Sequence, residues 1–330
     1  MIKQSAEQWR PNSTIQSSAV RDPLSLARSQ RDTNSHRTLP LLGRPDWLPE
    51  DVWPFQTRAL EIDGRRIAVT DVGSGPVLLF VHVGMWSFVW RDVILRLASD
   101  FRCICFDAPG NGQSERLPVK SISLTGAARA VSAIVESLDL HDVTLVFHDL
   151  GGPSGLAGAA KVSERIRGLC AVNAFGWRPS GAAFRGMLAL MGSTVMREFD
   201  VATKFLPRIT RSRFGVGRHF DERSRAAFYA GIGRQGVRAF HAYLHDARSS
   251  TIYDQVQSAL TGPLRVLPMV TIFGERNDPL GFQPRWKQLF PDAEQVVVPK
   301  GNHFPMCDAP DLVANTIRKF HRERVLPALS

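Results

Sequence analysis

The chain has 330 residues, a formal net charge of +10 and a hydrophobic fraction of 44%. This length suits one large globular domain with an insertion, or two modest domains. No apolar run reaches the roughly 18 residues that a transmembrane helix needs. The first twenty residues lack the apolar core of a secretory signal, so we expect neither a membrane span nor export.

The first 45 residues are rich in Ser, Arg and Gln and carry a net charge of +4. Organellar transit peptides have a similar composition, but Glu7, Asp22 and Asp32 argue against that interpretation. We therefore expect residues 1–45 to form a flexible basic arm.

None of the four cysteines belongs to a Cys-x-x-Cys pair; they are Cys103, Cys105, Cys170 and Cys307. Free buried thiols are typical of a reducing compartment. We therefore expect the protein to be cytoplasmic.

The first predicted elements form a β-hairpin, because Ala59–Ile62 and Arg66–Asp71 alternate around the turn dipeptide Asp63-Gly64. Six short apolar runs then predict buried strands, at Val77–Val81, Arg102–Phe106, Val143–Phe147, Leu169–Val172, Val270–Phe273 and Gln295–Val298. Helical patterns occur between most of these runs, including 124–137, 155–162 and 312–321. The alternation predicts an α/β fold with a mostly parallel, doubly wound sheet.

The strand pattern stops between residues 175 and 262, which read as helical and carry thirteen basic and six acidic side chains. We expect this segment to be a helical cap inserted after the strand at 169–172, with 46–174 and 263–330 forming the core. Its basic stretch, Arg208–Arg218, could attract anionic substrates, lipid headgroups or nucleic acid. A solvated helical face is the preferred interpretation, and no nucleic-acid motif accompanies the charge.

A candidate nucleophile lies where the apolar strand of residues 145–148 ends on Asp149 and turns through Gly151 and Gly152. A sharp strand-to-helix turn projects the residue at its apex above the sheet, where ligands of open α/β sheets bind. A carboxylate placed there can attack carbon and form an ester with the enzyme. The alternative is that Asp149 only caps the following helix.

Two further residues follow in the order acid and then base. His303 comes after the last predicted strand, on a loop, where it could take a proton from the water that hydrolyses the ester. Asp278 is the expected residue that orients the imidazole, with its neighbour Asn277 as the alternative. Asp278-Pro279 could also be simply a turn.

Ester hydrolysis needs backbone N–H groups to stabilise an oxyanion. We expect one from Leu150, directly after the nucleophile, and another from the loop after the strand at 77–81, at Val83 or Gly84. His82 is expected to hold that loop beside the pocket. Neither Ser154 nor Ser114 lies in a Gly-x-Ser-x-Gly motif, so neither is a candidate serine nucleophile.

Three segments carry a resemblance to a known family. Val146-Phe-His-Asp149-Leu-Gly-Gly resembles the dehalogenase pattern Val-x-His/Gln-Asp-Trp-Gly. Trp86-Ser-Phe-Val-Trp-Arg91 resembles Trp-Ser-Phe-Leu-Tyr/Trp-Arg, and His303-Phe-Pro-Met-Cys-Asp-Ala-Pro resembles His-Phe-x-x-x-Asp-Ala-Pro. Over about residues 50–325 the chain thus resembles an α/β-hydrolase of the aspartate-nucleophile branch, closest to haloalkane dehalogenases, with epoxide hydrolases next.

The resemblance implies the α/β-hydrolase fold and a hydrolase that works through an aspartyl ester. In the family the acid follows either of two strands, and the strand ending at Asn173 offers no carboxylate, so Asp278 is the match. No cofactor or metal is implied. The expected substrate is small and largely apolar, in a pocket lined by Phe175, Trp177, Trp86 and cap residues.

The sequence departs from the dehalogenase pattern at the groups that hold the leaving halide. Leu150 stands where a tryptophan is usual, and the segment from His82 is one residue short, without the usual asparagine. Hydrogen bonds to a charged group contribute about 1.5–3 kcal/mol each. Losing two would slow halide departure by about 10²–10⁴-fold. Trp86 or Trp177 could replace them.

Two alternatives to dehalogenation remain open. Epoxide hydrolases use cap tyrosines as acids, and all three tyrosines here, Tyr229, Tyr243 and Tyr253, fall in the expected cap. A hydrolase fold kept as a non-catalytic binding module is the second alternative. The altered loop favours it slightly, because the β-branched Val83 would misplace an N–H group if that position needed positive φ.

Overall fold

The computed structural model describes residues 39–212, 215–278 and 280–328. Its eight strands form one sheet in the order β1-β2-β4-β3-β5-β6-β7-β8. The strands are β1 (Thr57–Ile62), β2 (Arg65–Val72), β3 (Val77–Val83), β4 (Arg102–Phe106), β5 (Val143–Asp149), β6 (Ile166–Ala174), β7 (Met269–Gly274) and β8 (Glu294–Val298). Strand β2 runs antiparallel to both of its neighbours, β1 and β4. All the other neighbouring pairs are parallel, which confirms the mostly parallel sheet.

The predicted hairpin is present, with Asp63 and Gly64 at φ 52° and 69° between the paired strands β1 and β2. Positive φ at both positions is what a two-residue turn with the twist of a hairpin requires. Leu41 forms a bridge with Arg58, and Leu42 N–H donates to Thr57 O at 2.9 Å. Part of the predicted arm therefore lies along the sheet edge, and the rest of it, residues 1–38, lies outside the described residues.

Six core helices cover the two faces of the sheet: α1 (Arg91–Leu97), α2 (Leu124–Ser137), α3 (Gly151–Ala160), α9 (Phe282–Leu289), α10 (Pro305–Asp308) and α11 (Pro310–Phe320). The five helices between β6 and β7, here called the cap, are α4 (Ala182–Met191), α5 (Thr194–Thr203), α6 (Phe205–Arg211), α7 (Glu222–Asp246) and α8 (Ile252–Thr261). No helix in the described ranges is both long and apolar enough to cross a membrane.

The central strands are apolar on both faces, as a parallel sheet covered by helices requires. Along β5, Leu145 and Phe147 join one apolar cluster, whereas Val146 joins the cluster on the opposite face. The period of two residues places successive side chains on opposite faces. All four cysteines are free and buried, as predicted.

Hydrogen bonds that cross long stretches of sequence hold the cap to the core. Trp86 donates its indole N–H to Phe228 O at 3.1 Å, and Tyr243 donates its hydroxyl to Pro109 O at 2.7 Å. The Asp246 carboxylate accepts the Leu124 N–H at 2.8 Å, at the start of α2. Helix α7 is kinked at Gly233, whose φ is 53°. These contacts join α7 to the segments that follow β3 and β4 and to the start of α2.

Candidate active site

Asp149 is the last residue of β5 and adopts φ 51°, a left-handed conformation that Asp tolerates better than most residues. Helix α3 begins two residues later, so the chain reverses sharply at this point. A Cβ at Gly151 would lie 2.5 Å from Val81 O, and one at Gly152 only 2.0 Å from Phe175 O. The glycines therefore permit the turn, and the turn presents Asp149 at the edge of the sheet.

His303 lies opposite Asp149, with its Nε2 3.6 Å from a carboxylate oxygen. The two side chains are 37% and 26% exposed, so a small molecule can reach both. Burial alone would raise the pKa of the Asp149 carboxyl, but the hydrogen bond and charge of His303 outweigh it and lower the pKa below its usual range. Asp149 is therefore ionised at neutral pH, as a nucleophile must be.

The residue next to the other side of the imidazole is Asn277, whose Nδ2 lies 3.1 Å from His303 Nδ1. The expected orienting residue, Asp278, is turned elsewhere. Its carboxylate accepts the N–H groups of Phe282 and Gln283 at 2.6 and 2.8 Å. These are unpaired donors at the start of α9, and satisfying them holds the carboxylate away from His303. The structure therefore corrects the predicted Asp278–His303 contact in favour of Asn277.

Asn173, at the end of β6, holds the loop that carries His303. Its Nδ2 donates to Asn302 O at 2.8 Å and to His303 O at 3.0 Å, and its Oδ1 accepts the Gly274 N–H at 3.0 Å. The amide thus uses both of its N–H groups and one of its two oxygen lone pairs. These hydrogen bonds join β6 to β7 and to the loop that carries His303. Sequence reasoning noted only that Asn173 is not a carboxylate and missed this role.

His148 also binds the His303 loop, since its Nε2 lies 2.8 Å from His303 O. A carbonyl can only accept, so Nε2 carries a hydrogen. Burial and the charge of His303 lower the pKa of His148 well below its usual value, so its Nδ1 is an acceptor. His82 Nδ1, 3.0 Å away, must then be the donor of that pair.

His82 is the second buried imidazole, and it is neutral as well. Burial, followed by the charge of His303, lowers the pKa of His82 to about 3. With its proton on Nδ1, its buried Nε2 is an acceptor that has no partner among the described residues. His82 thus joins β3 to β5 beneath the site, consistent with the structural role expected for it.

The residues expected to supply oxyanion-stabilising N–H groups lie next to Asp149 in the chain and opposite it in the sheet. The Leu150 N–H contributes to the lowered pKa of the Asp149 carboxyl, and Val83 aligns with Asp149 in the pairing of β3 and β5. Val83 remains in the strand, and the positive φ of 112° falls on Gly84 instead. A Cβ at Gly84 would lie 3.0 Å from the ring of Phe240, a residue of α7 in the cap. The shortened loop therefore places its glycine at the position that requires one.

The predicted aromatic pocket residues differ in their contacts. Trp86 is completely buried, and its N–H is bonded to Phe228 O, so it does not offer a donor to a halide. Phe175 meets the ring of Phe184 edge to face and that of Phe282 at a tilt. Trp177 contacts Phe282 and Trp286, and the Arg285 guanidinium lies 4.3 Å over its ring. Phe175 and Trp177 thus belong to an aromatic layer between core and cap.

The three cap tyrosines differ in their contacts, and two of them donate their hydroxyl hydrogens to backbone carbonyls. Tyr243 donates to Pro109 O at 2.7 Å and Tyr253 to Ala247 O at 3.0 Å, and both side chains are buried. The ring of Tyr229 instead lies beneath Lys204 and Arg211. Among the described residues no group of His, Cys, Asp and Glu is arranged to hold a metal ion.

Comparison with known proteins identifies the family and the fold. A family model described as the alpha/beta hydrolase family matches residues 78–316. Haloalkane dehalogenase 2 of Mycobacterium tuberculosis is 28% identical over 284 residues, which cover 82% of this chain and 97% of that protein.

Two solved structures show the same fold. Haloalkane dehalogenase DbeA from Bradyrhizobium elkani superimposes with a TM-score of 0.69 at 18% identity, covering 83% of this chain and 99% of its own. Epoxide hydrolase VrEH1 from Vigna radiata gives 0.68 at 19% identity, with 82% and 99% covered. The expected α/β-hydrolase fold is confirmed, and since the family model spans more than half of the sequence, the chain belongs to the alpha/beta hydrolase family and is a hydrolase.

Proposed function

We propose that this hydrolase cleaves the carbon–halogen bond of haloalkane-like substrates. It would act through a covalent ester on Asp149, with His303 as the base. The observation that supports this most directly is the Asp149 carboxylate at the strand end, 3.6 Å from His303 Nε2, with both side chains partly exposed. A helix-capping role for Asp149 would not need a histidine at that distance, nor a left-handed backbone at the turn.

In the first half-reaction an ionised oxygen of Asp149 attacks the substrate carbon. A C–O bond forms while the bond to the leaving group breaks, and the electron pair departs with that group. The low pKa of the Asp149 carboxyl keeps the nucleophile ionised. The Leu150 N–H also favours the ionised carboxylate.

In the second half-reaction His303 Nε2 takes a proton from water, and the oxygen of that water attacks the ester carbonyl carbon. The oxyanion that forms is stabilised by the Leu150 N–H and by the backbone near Gly84. Collapse gives the Asp149 carboxylic acid, and the proton on His303 goes to the departing alkoxide, which leaves as an alcohol. The acid then loses the remaining proton of the water to solvent, which restores the Asp149 carboxylate.

The hydrolytic half-reaction requires a particular tautomer of His303. Nε2 must be free, so Nδ1 carries the hydrogen, and the partner at Asn277 must accept it through Oδ1. With Nδ2 facing Nδ1, as in the structure, the neutral ring would instead hold its hydrogen on Nε2. An amide can rotate to serve either tautomer, whereas a carboxylate serves only the productive one. We therefore propose that ester hydrolysis is the slow half-reaction.

Two indole donors that could assist departure of the leaving group are not available. Position 150 is a leucine, and the indole N–H of Trp86 is already bonded to Phe228 O. The epoxide alternative has no better support, because the hydroxyl hydrogens of Tyr243 and Tyr253 are donated to backbone carbonyls. Carbon–halogen bonds with good leaving groups, bromides and iodides, are therefore the preferred test substrates.

The test is the intact mass of His303→Ala after exposure to bromoalkanes and, separately, to epoxides. Without the base the ester forms but does not hydrolyse, so an alkyl adduct that peptide mapping places on Asp149 supports the proposal. The exposed His141→Ala is the matched control and should hydrolyse its ester like the wild type. A hydroxyalkyl adduct formed from the epoxides, without an alkyl adduct from the bromoalkanes, would indicate epoxide hydrolysis instead of dehalogenation. Folded protein without any adduct would reject the ester mechanism for both substrate classes.

A further inference from the structure

The cap carries exposed apolar side chains on three consecutive helices, and we call this set the patch. Each helix contributes two of these side chains, three or four residues apart and therefore on the same face of the helix. They are Met187 and Leu190 on α4, Val195 and Phe199 on α5, and Phe205 and Ile209 on α6. Their exposed fractions are 43%, 62%, 81%, 50%, 43% and 40% in that order. The rings of Phe199 and Phe205 lie 6.2 Å apart, so the patch continues from α5 to α6.

This patch differs from ordinary surface apolar residues. The other large exposed apolar side chains of the described chain, including Leu41, Val266 and Leu326, are scattered along the sequence. Single exposed residues of that kind are normal, whereas an apolar surface shared by several elements marks an interaction site.

Basic side chains accompany the patch. The segment 182–212 carries Arg185, Arg197, Lys204, Arg208 and Arg211, and only two acids. Both acids are engaged, since Glu198 pairs with Arg197 and the buried Asp200 pairs with His241. Arg185 and Arg208 are exposed and form no ion pair with a described residue. The patch therefore presents apolar groups within an uncompensated positive field.

We propose that this patch docks the protein on a membrane surface rich in anionic lipid. Helices that combine Phe and Leu with Lys and Arg bind at the boundary between headgroups and acyl chains, with their apolar face buried and their cations near lipid phosphates. The other occupants that the chain itself offers are both cationic: residues 1–38 are net basic, and a second copy carries +10. Charge therefore favours an anionic surface over either of them.

This inference does not depend on the proposed function, because it concerns binding and leaves Asp149 and His303 untouched. It does suit an enzyme with apolar substrates, since such molecules concentrate in bilayers. A solvated helical face, the preferred sequence interpretation of the basic stretch, does not account for six exposed apolar side chains.

The test is co-sedimentation of the full chain with vesicles of phosphatidylcholine, with and without an equal share of phosphatidylglycerol. Phe199→Ser/Phe205→Ser should weaken binding to the anionic vesicles by about tenfold or more, because each phenylalanine loses its apolar burial. Val266→Ser/Val297→Ser removes two exposed apolar side chains elsewhere and should bind like the wild type. Circular dichroism establishes that each variant is folded.

A charge pair provides the second arm. Arg185→Glu/Arg208→Glu should weaken binding by at least about tenfold, since each basic residue near an anionic surface strengthens binding roughly fivefold. Arg116→Glu/Arg234→Glu, exposed arginines outside the patch, should change it far less. Three outcomes would overturn the proposal: no wild-type binding, equal binding to purely zwitterionic vesicles, or a self-association in ultracentrifugation that Phe199→Ser/Phe205→Ser abolishes.

Discussion

Asn277 Nδ2 lies 3.1 Å from His303 Nδ1, at the place where a catalytic histidine usually meets a carboxylate. A carboxylate holds one tautomer and stabilises the imidazolium that forms when the base takes its proton. A neutral amide can hold the ring but supplies no charge. The contact thus predicts that Asn277 orients His303 but does little to stabilise its protonated form.

We expect Asn277→Asp to accelerate ester hydrolysis by about 10–100-fold, because a carboxylate would fix the Nδ1–H tautomer and stabilise the charged ring. Single-turnover decay of the alkyl-enzyme, followed by quenched-flow mass measurement, isolates this step from alkylation. The alkylation rate serves as the internal control and should change by less than about threefold. Slower decay of the ester in Asn277→Asp would refute the assignment of Asn277.

Asp278→Asn should affect stability more than chemistry. The Asp278 carboxylate accepts two N–H groups at the start of α9, one on each oxygen. Asparagine keeps one oxygen, so one of these hydrogen bonds is lost and the other is weakened by the loss of charge. We expect the free energy of unfolding to fall by about 0.5–2 kcal/mol, with ester hydrolysis nearly unchanged. Urea denaturation and the same single-turnover assay give the two quantities. If turnover collapsed while stability held, Asp278 would regain the orienting role that the sequence suggested.

Much of the fold could be predicted from the sequence because its signals are local. Six strands follow from short apolar runs, and the two strands of the hairpin follow from the alternating pattern around Asp63-Gly64. The helical pattern predicts α3 from residue 155, whereas the helix begins four residues earlier, at Gly151, because a glycine-rich stretch has low helix propensity by itself. There the elbow needs residues without a Cβ, and tertiary packing overrides the propensity.

The site could be predicted only in part. Asp149 and His303 come directly from a strand end and a loop. The choice between Asn277 and Asp278 depends on the turn after β7, which spacing along the chain cannot resolve. The side chain of Asn173 binds Gly274 and Asn302, which both lie more than a hundred residues further along the chain. No local sequence pattern indicates such contacts. Which apolar side chains of the cap remain uncovered is equally a property of packing.

Asn173→Asp should lower the rate of ester hydrolysis by at least about tenfold. The substitution preserves size and tolerates the φ of 39° at this position, but it replaces an amide donor to two carbonyls with an acceptor. Repulsion would displace the loop that holds His303, and misplacement of a catalytic group by about 1 Å can reduce rate 10²-fold. Asn315→Asp, on the exposed face of α11, is the control. Unchanged hydrolysis in Asn173→Asp would show that the loop is held by other contacts.

The buried histidines predict a loss of stability on the acid side. Burial and the charge of His303 lower the pKa of His82 to about 3 and that of His148 well below its usual value. The unfolded chain therefore binds more protons than the folded chain once the pH falls below about 6.5, and stability is lost from there downward. Each histidine contributes a slope of up to about 1.4 kcal/mol per pH unit until its folded pKa is reached.

Between pH 6.5 and 4.5 the lowered pKa of the Asp149 carboxyl contributes little, and His321, whose pKa burial also lowers, contributes equally to the wild type and to a His148 variant. Urea denaturation across the window should show the free energy of unfolding falling steeply in the wild type. His148→Gln keeps an amide that can donate to His303 O but does not titrate, so it should flatten the curve. His141→Gln, exposed on the surface, should leave the slope unchanged. A wild-type curve that is flat between pH 6.5 and 4.5 would mean that the two buried rings are not held neutral.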